Sequence, residues 1–156
     1  LALSRVEPGA AAAEPRVVDL HALAEQHLGD YAVLTASLGV HMAMDTESVS
    51  VRGDEAALDA MMRNLIDNAA KWSTQRVSLR VWHEANALRI CVQDDGPGFT
   101  DTQAVLQLHV RMDEKVPGHG VGLAVVNDLV ASYDGTLALA ASAWGGGRVD
   151  ITLPSA

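Results

Sequence analysis

Asn64, Asn68 and Lys71 follow one another at intervals of four and three residues. On a helix turning 100° per residue they fall within about 60° of each other. Two amide oxygens so placed can share one hard cation, and an ammonium one turn later can meet a phosphate. A solvated helix edge would show the same spacing, and alone this cluster favours that plainer reading. Asp67 lies off this face and reads as a surface charge. A second cluster, residues 94–99 (DDGPGF), directly follows an alternating apolar stretch. A strand end would aim Asp94 into a cleft, where its carboxylate can accept from an exocyclic amine, and glycines at 96 and 98 allow close approach. Asp-Gly-Pro-Gly is also ordinary turn chemistry. The third cluster, residues 117–125 (PGHGVGLAV), is a glycine-rich loop running into a helix. Free N–H groups and the helix dipole there favour phosphate. It lacks the Gly-Lys-Ser/Thr of a P-loop, and it stands too late in the chain for a dinucleotide fingerprint.

Periodicity supplies the elements that must position these residues. Residues 16–18 suit a short strand. Asp19 caps a helix to about residue 38, with Leu20, Leu23, Ala24, Leu28 and Tyr31 at helical spacing, and Gly39 ends it. Residues 40–44 and 49–51 alternate like strands. Asp54 caps a second helix reaching about Trp72, with Leu58, Met61, Met62, Leu65 and Ala69 on its apolar side. Residues 76–83 and 87–93 read as a hairpin, 94–122 as a long loop with a possible helical turn at 103–108, and 121–133 as a third helix. Residues 136–141 and 148–153 make a last hairpin through Trp144 and three glycines. Strands come in adjacent antiparallel pairs and helices singly. That order suits an α+β two-layer sandwich, one mixed sheet covered on one face, and not a doubly wound sheet.

The chain has 156 residues, 49% apolar but only 4% aromatic, with a net charge of −9. Its length fits one domain. The apolar content excludes a disordered tail, and an acidic chain without a Lys/Arg cluster argues against a nucleic-acid partner. The single cysteine, Cys91, excludes a disulfide framework and a Cys-based zinc site and fits a reducing compartment. No apolar run is long enough to span a bilayer. The start at Leu1, with neither Met nor a signal-peptide pattern, reads as a cut end. Residues 1–15, with Pro8, Gly9 and Pro15, read as a linker or the end of a preceding helix, and 16–156 as the domain.

In this order and spacing the three clusters resemble the N, G1 and G2 boxes of the ATP-binding domain of bacterial two-component sensor histidine kinases. That family sits in the wider superfamily of gyrase, heat-shock chaperone, histidine kinase and mismatch-repair ATPases. The resemblance runs from about residue 16 to 154, and its wording is closest to the PhoQ-like branch. It implies the Bergerat fold: about five strands in a mixed sheet under three helices, with ATP between helices and a mobile lid at 100–117. It also implies site roles. Asn68, with Asn64 beside it, would hold Mg²⁺. Lys71 would meet a phosphate, and Trp72, where the family has Tyr, would stack on adenine. Asp94 would bind the adenine amine, with Gly96 and Gly98 shaping that wall. Gly118, His119, Gly120, Val121, Gly122 and Leu123 would wrap the phosphates. Asn64, Lys71 and Arg111 would be the catalytic set, with Lys115 a second lid cation.

The family's lid Phe is missing, for residues 106–109 (LQLH) stand in its place. That puts lid behaviour in question more than ATP binding. None of the six histidines sits in an H box, the phosphoacceptor motif, so the acceptor would lie on a separate dimerisation domain. The hydrolases of the superfamily carry Glu where this chain has Asn64, and Asn cannot activate water as a general base. The resemblance therefore implies a kinase domain passing the γ-phosphoryl group to a histidine, for relay to a response regulator. The whole would be a homodimer, this part cytoplasmic in a membrane-anchored sensor and itself touching no membrane. An ATP hydrolase, an anti-sigma-type serine kinase and a non-enzymatic nucleotide-binding module are the alternatives.

Overall fold

The computed structural model describes residues 16–36, 39–47, 49–98 and 122–154. Its elements are β1 (Arg16–Asp19), α1 (Leu20–Ala36), β2 (His41–Thr46), β3 (Ser50–Gly53), α2 (Glu55–Trp72), β4 (Arg76–Glu84), β5 (Ala87–Asp94), α3 (Gly122–Ser132), β6 (Thr136–Ala141) and β7 (Gly147–Pro154). Five strands form one mixed sheet in the order β2-β4-β5-β7-β6, and β1 and β3 form a separate antiparallel pair. The expected α+β sandwich, with three helices and a five-stranded mixed sheet, is present.

One expected pairing is overturned. The strands at 40–44 and 49–51 do not form a hairpin. β2 instead lies parallel to β4, with Met42 beside Val77 and Met44 beside Leu79. β3 runs antiparallel to β1, with Val51 beside Val18. A parallel pair needs a long crossover, and β3 and α2 supply it. Period-two alternation says that a segment is a strand but not which strand it joins. Val18, Val49 and Val51 are buried with Leu20 of α1, and the Leu20 N–H donates to the Val49 carbonyl at 2.9 Å.

The core lies between the sheet and the helices. Leu79 and Val81 of β4, Leu88, Ile90 and Val92 of β5, and Val149, Ile151 and Leu153 of β7 all face the helices and are buried. Alternation then sends Arg76, Ser78, Arg80 and Trp82 to the opposite face of β4. α2 packs between α1 and α3 and lies over β5. Its buried residues are Leu58, Met61, Met62, Leu65, Ile66 and Ala69. No helix among the described residues is long and apolar enough to cross a membrane.

Side-chain ties hold α1 to α2: His27 Nε2 lies 2.7 Å from Asp59 Oδ1, and the Tyr31 hydroxyl donates to Asp67 Oδ1 at 2.7 Å. The start of α2 is fixed twice. Asp54 Oδ1 accepts the Ala56 N–H at 3.0 Å, and the Asp54 N–H donates to the Tyr133 hydroxyl, just past α3, at 2.9 Å. Asp54→Ala should therefore cost about 0.5–2 kcal/mol, the range for a lost N-cap, read as a lower urea midpoint with an unchanged m-value.

Candidate functional site

The carboxyl end of β5 continues the core-facing row Leu88, Ile90, Val92 into Asp94, which is only 5% exposed. An ionised carboxylate at such depth needs partners. Oδ1 accepts the Gly96 N–H at 2.8 Å and the Gly147 N–H at 3.3 Å. Both contacts fall on Oδ1, so among the described residues Oδ2 is the acceptor left for a ligand. Burial pushes the Asp94 carboxyl above the usual carboxylate range, against the pull of the Gly96 and Gly147 N–H groups.

Close backbone approach assembles the walls around it. A Cβ on Gly96 would collide with the carbonyl oxygen of Trp72, the last residue of α2. A Cβ on Gly146 would collide with the Asp94 carbonyl oxygen and lie 2.6 Å from the Gly96 nitrogen. The end of α2, the turn after β5 and the loop between β6 and β7 thus meet backbone to backbone, which only glycine permits. Gly98, at φ +83, is in the left-handed region.

Asp95 points elsewhere and braces the same junction. Its carboxylate accepts the N–H groups of Thr74 at 2.8 Å, Gln75 at 3.0 Å and Arg76 at 3.2 Å. Partial desolvation raises its carboxyl, but the donors from Gln75, Thr74 and Arg76 outweigh that and hold it below the usual range. From the start of β4, the Arg76 guanidinium stacks 3.9 Å from the centre of the Trp144 ring in the β6–β7 loop. The Ser142 hydroxyl, buried in that loop, meets Gln93 Oε1 at 3.2 Å and accepts the Trp144 N–H at 3.0 Å.

Along α2, Asn64 and Asn68 are half-buried and Lys71 is exposed. Asn64 Nδ2 donates to the Ala60 carbonyl at 2.7 Å, which leaves its Oδ1 as the amide atom for a cation. Lys71 Nζ lies 3.1 Å from Asp67 Oδ2. Asp67 is therefore more than a surface charge, since it links Lys71 to Tyr31. The junction at Gly96 brings the end of this helix, with Trp72, against the Asp94 turn. Gly122 and Leu123 open α3, where Leu123 is buried. Arg111, Lys115, Gly118, His119, Gly120 and Val121, and the stretch 100–117 expected to form a lid, lie outside the described residues.

A buried strand-end carboxylate and the end of a helix carrying two amides and a lysine thus meet at a glycine-lined junction. A family model for the histidine kinase-, DNA gyrase B- and HSP90-like ATPases matches residues 53–156. The chain belongs to this family. The sensor protein kinase CarS of Pseudomonas aeruginosa is 43% identical over 103 residues, covering 65% of this chain and 23% of that protein. The sensor protein PhoQ of Escherichia coli is 31% identical over 116 residues, covering 72% of this chain and 24% of that protein. The chain thus spans about a quarter of the length of these curated relatives. The solved mycobacterial sensor histidine kinase MprB superposes with a TM-score of 0.76 at 27% identity, over 90% of this chain and 97% of that one. The nucleotide-free catalytic domain of the histidine kinase ThkA does so with a TM-score of 0.81 at 14% identity, over 92% and 97%, which speaks to the fold alone. The expected membership of the sensor-histidine-kinase group holds, and the chain is a histidine-kinase-type catalytic ATPase domain.

In this ATPase domain several residues that sequence reasoning passes over shape the site. Gly146 and Gly147 clasp Asp94 from a hairpin 50 residues downstream in round terms. The available signal is three consecutive glycines, more than a tight turn needs. Asp95 braces the loop after α2, and nothing local distinguishes it from Asp94. Of the described histidines, His27 is buried against Asp59, His21 lies 3.8 Å from Glu25, and His41 and His83 are exposed on strands.

Two variants test the junction. Gly96→Ala should destabilise the domain by about 1–3 kcal/mol, because its Cβ displaces the end of α2, and thermal unfolding would read the loss. Asp95→Ala should cost about 0.5–2 kcal/mol, as a capping residue does, while leaving nucleotide affinity nearly unchanged in a fluorescence titration. A comparable loss of affinity would show that Asp95 contacts ligand.

Proposed function

We propose that residues 16–156 bind Mg-ATP at the junction of α2, β5 and the β6–β7 loop and pass its γ-phosphoryl group to a histidine on a separate dimerisation domain. Residues 1–15 would form the link to that domain. The observation that carries the reading is Asp94, buried at a strand end with one oxygen held by two backbone N–H groups and the other left as an acceptor among the described residues. That arrangement suits the exocyclic amine of adenine, with Trp72 supplying an aromatic face. Trp for the family's Tyr keeps the face and drops a hydroxyl.

Asn68 and Asn64 would hold Mg²⁺, and the tethered Nδ2 of Asn64 fits that role because it presents the oxygen. Mg²⁺ takes one or two protein ligands beside substrate phosphates, and when bound it offsets phosphate charge. Lys71 would neutralise a phosphate, with Arg111 from the lid. Gly118, His119, Gly120, Val121, Gly122 and Leu123 would line the phosphate side at the start of α3. Asn64 at the first helix position offers no general base for water, which favours transfer over hydrolysis. The response regulator would be the next acceptor, the whole protein a homodimer, and this domain the cytoplasmic part of a membrane-anchored sensor.

Asp94→Asn separates function from stability. The amide keeps an acceptor for Gly96 and Gly147 but loses the charged acceptor for adenine. Nucleotide affinity should fall about 10–150-fold, corresponding to about 1.5–3 kcal/mol. The fold should be no less stable at pH 7, because a buried charge is removed. Since the carboxyl is raised in the folded state, its ionisation opposes folding above that raised pKa. The variant's advantage should therefore shrink as pH falls through it. A variant that binds nucleotide as the parent does would sink the adenine assignment.

Phosphoryl transfer has its own test. Mixed with radiolabelled Mg-ATP, this domain should stay unlabelled, and adding the dimerisation domain of the same protein should put acid-labile label on that chain alone. Label on any of His21, His27, His41, His83, His109 or His119 would refute the separate-acceptor reading.

A further inference from the structure

The ammonium of Lys71 has a partner on its own helix. It pairs with Asp67 Oδ2 at 3.1 Å, and the other oxygen of that carboxylate accepts the Tyr31 hydroxyl of α1 at 2.7 Å. By helical geometry Asp67 lies about 40° to one side of Lys71, whereas Asn68 lies about 60° to the other and Asn64 about 20° to that same side. Pairing with Asp67 therefore carries the ammonium toward α1 and off the line of the two amides. Burial and the Asp67 carboxylate push the Tyr31 hydroxyl up to about 12, so it stays a donor throughout the neutral range.

We propose that Asp67, held on the α1 side by Tyr31, is an internal competitor for Lys71: it parks the lysine when no phosphate is present, and bound phosphate must displace it. This rests on Lys71 as a phosphate ligand. The lysine side chain is 52% exposed and the aspartate 30%, so the pair is screened and its hold is modest. Asp67 accordingly tunes nucleotide affinity without blocking it. A ligand shifts such an equilibrium only by the difference between its contacts in the two states, and here that difference is the exchange of one anion for another. Tyr31 makes the exchange one-sided, since it keeps the Asp67 carboxylate from following the ammonium toward the amide line.

The test is a double-mutant cycle with Mg-ATP as the probe, at one fixed ionic strength, on the parent, Asp67→Asn, Lys71→Ala and the double variant. Lys71→Ala should weaken binding. Asp67→Asn should tighten it about two- to fivefold, the span of a partly exposed ion pair. That gain should vanish when Lys71 is already Ala. A gain of equal size in the Lys71→Ala background would mean that Asp67 merely repels phosphate, and would overturn the proposal. Weaker binding by Asp67→Asn would overturn it too, making Asp67 a residue that presents Lys71 to the ligand. No effect of Lys71→Ala would remove the phosphate role of Lys71, and the proposal with it, while leaving the adenine reading to Asp94→Asn. Asn keeps an acceptor for Tyr31 and should fold. If its melting temperature drops, Asp67→Ala is the second variant, with the same expectation.

Discussion

The arrangement depends on one buried carboxylate. Asp94 ends a row of core residues on β5, where an apolar side chain would complete the packing at no electrostatic cost. A charge there stands only because two backbone N–H groups converge on one of its oxygens. Those donors come from the turn after β5 and from the start of β7, so the carboxylate ties the loop of the chain's last hairpin to the end of β5. The backbone contacts this demands admit no side chain at Gly96 or Gly146. The same contact seats the final carbonyl of α2, which fixes how the helix carrying Asn64, Asn68 and Lys71 meets the strand carrying Asp94. Perturbed carboxylates in clefts cluster at functional sites, which is what makes Asp94 a candidate.

The two neighbouring aspartates divide the work by the alternation of the strand. Asp94 faces inward, loses solvent and has its carboxyl raised. Asp95 faces outward, gathers three successive N–H groups and has its carboxyl lowered. One holds the turn after β5 against the start of β7, and the other holds the loop through which α2 turns into β4. Arg76, stacked on Trp144, ties the same loop to the β6–β7 hairpin on the opposite face of the sheet. The junction is therefore held by close backbone contacts on one side and by the Arg76–Trp144 stack on the other.

α2 shows how one helix serves two ends. Its apolar stripe lies on the sheet, its amide-bearing edge borders the site, and its remaining flank meets α1 through Asp59 and Asp67. Asp67 serves both the packing and the amide-bearing end of the helix, because it joins Tyr31 to Lys71. A residue that fastens two helices thus also holds the last-turn lysine of α2.

Much of this was legible in the linear chain. Helix limits followed from caps at Asp19 and Asp54 and from apolar spacing. Strands followed from alternation. The three polar and glycine clusters stood out because their residue types are poor choices for the elements that carry them. Local rules sufficed there because capping, turn formation and amphipathic spacing act over a few residues. What the sequence could not decide was partnership between distant segments. Nothing in residues 40–53 says that β2 joins β4 and β3 joins β1, for pairing is chosen by which apolar faces can be buried together. Nothing near Asp94 names Gly147 as its donor, and nothing near Asp67 names Tyr31 of α1 as its partner. Those choices rest on hydrogen bonds and close contacts across tens of residues, and only the folded chain brings their two ends together.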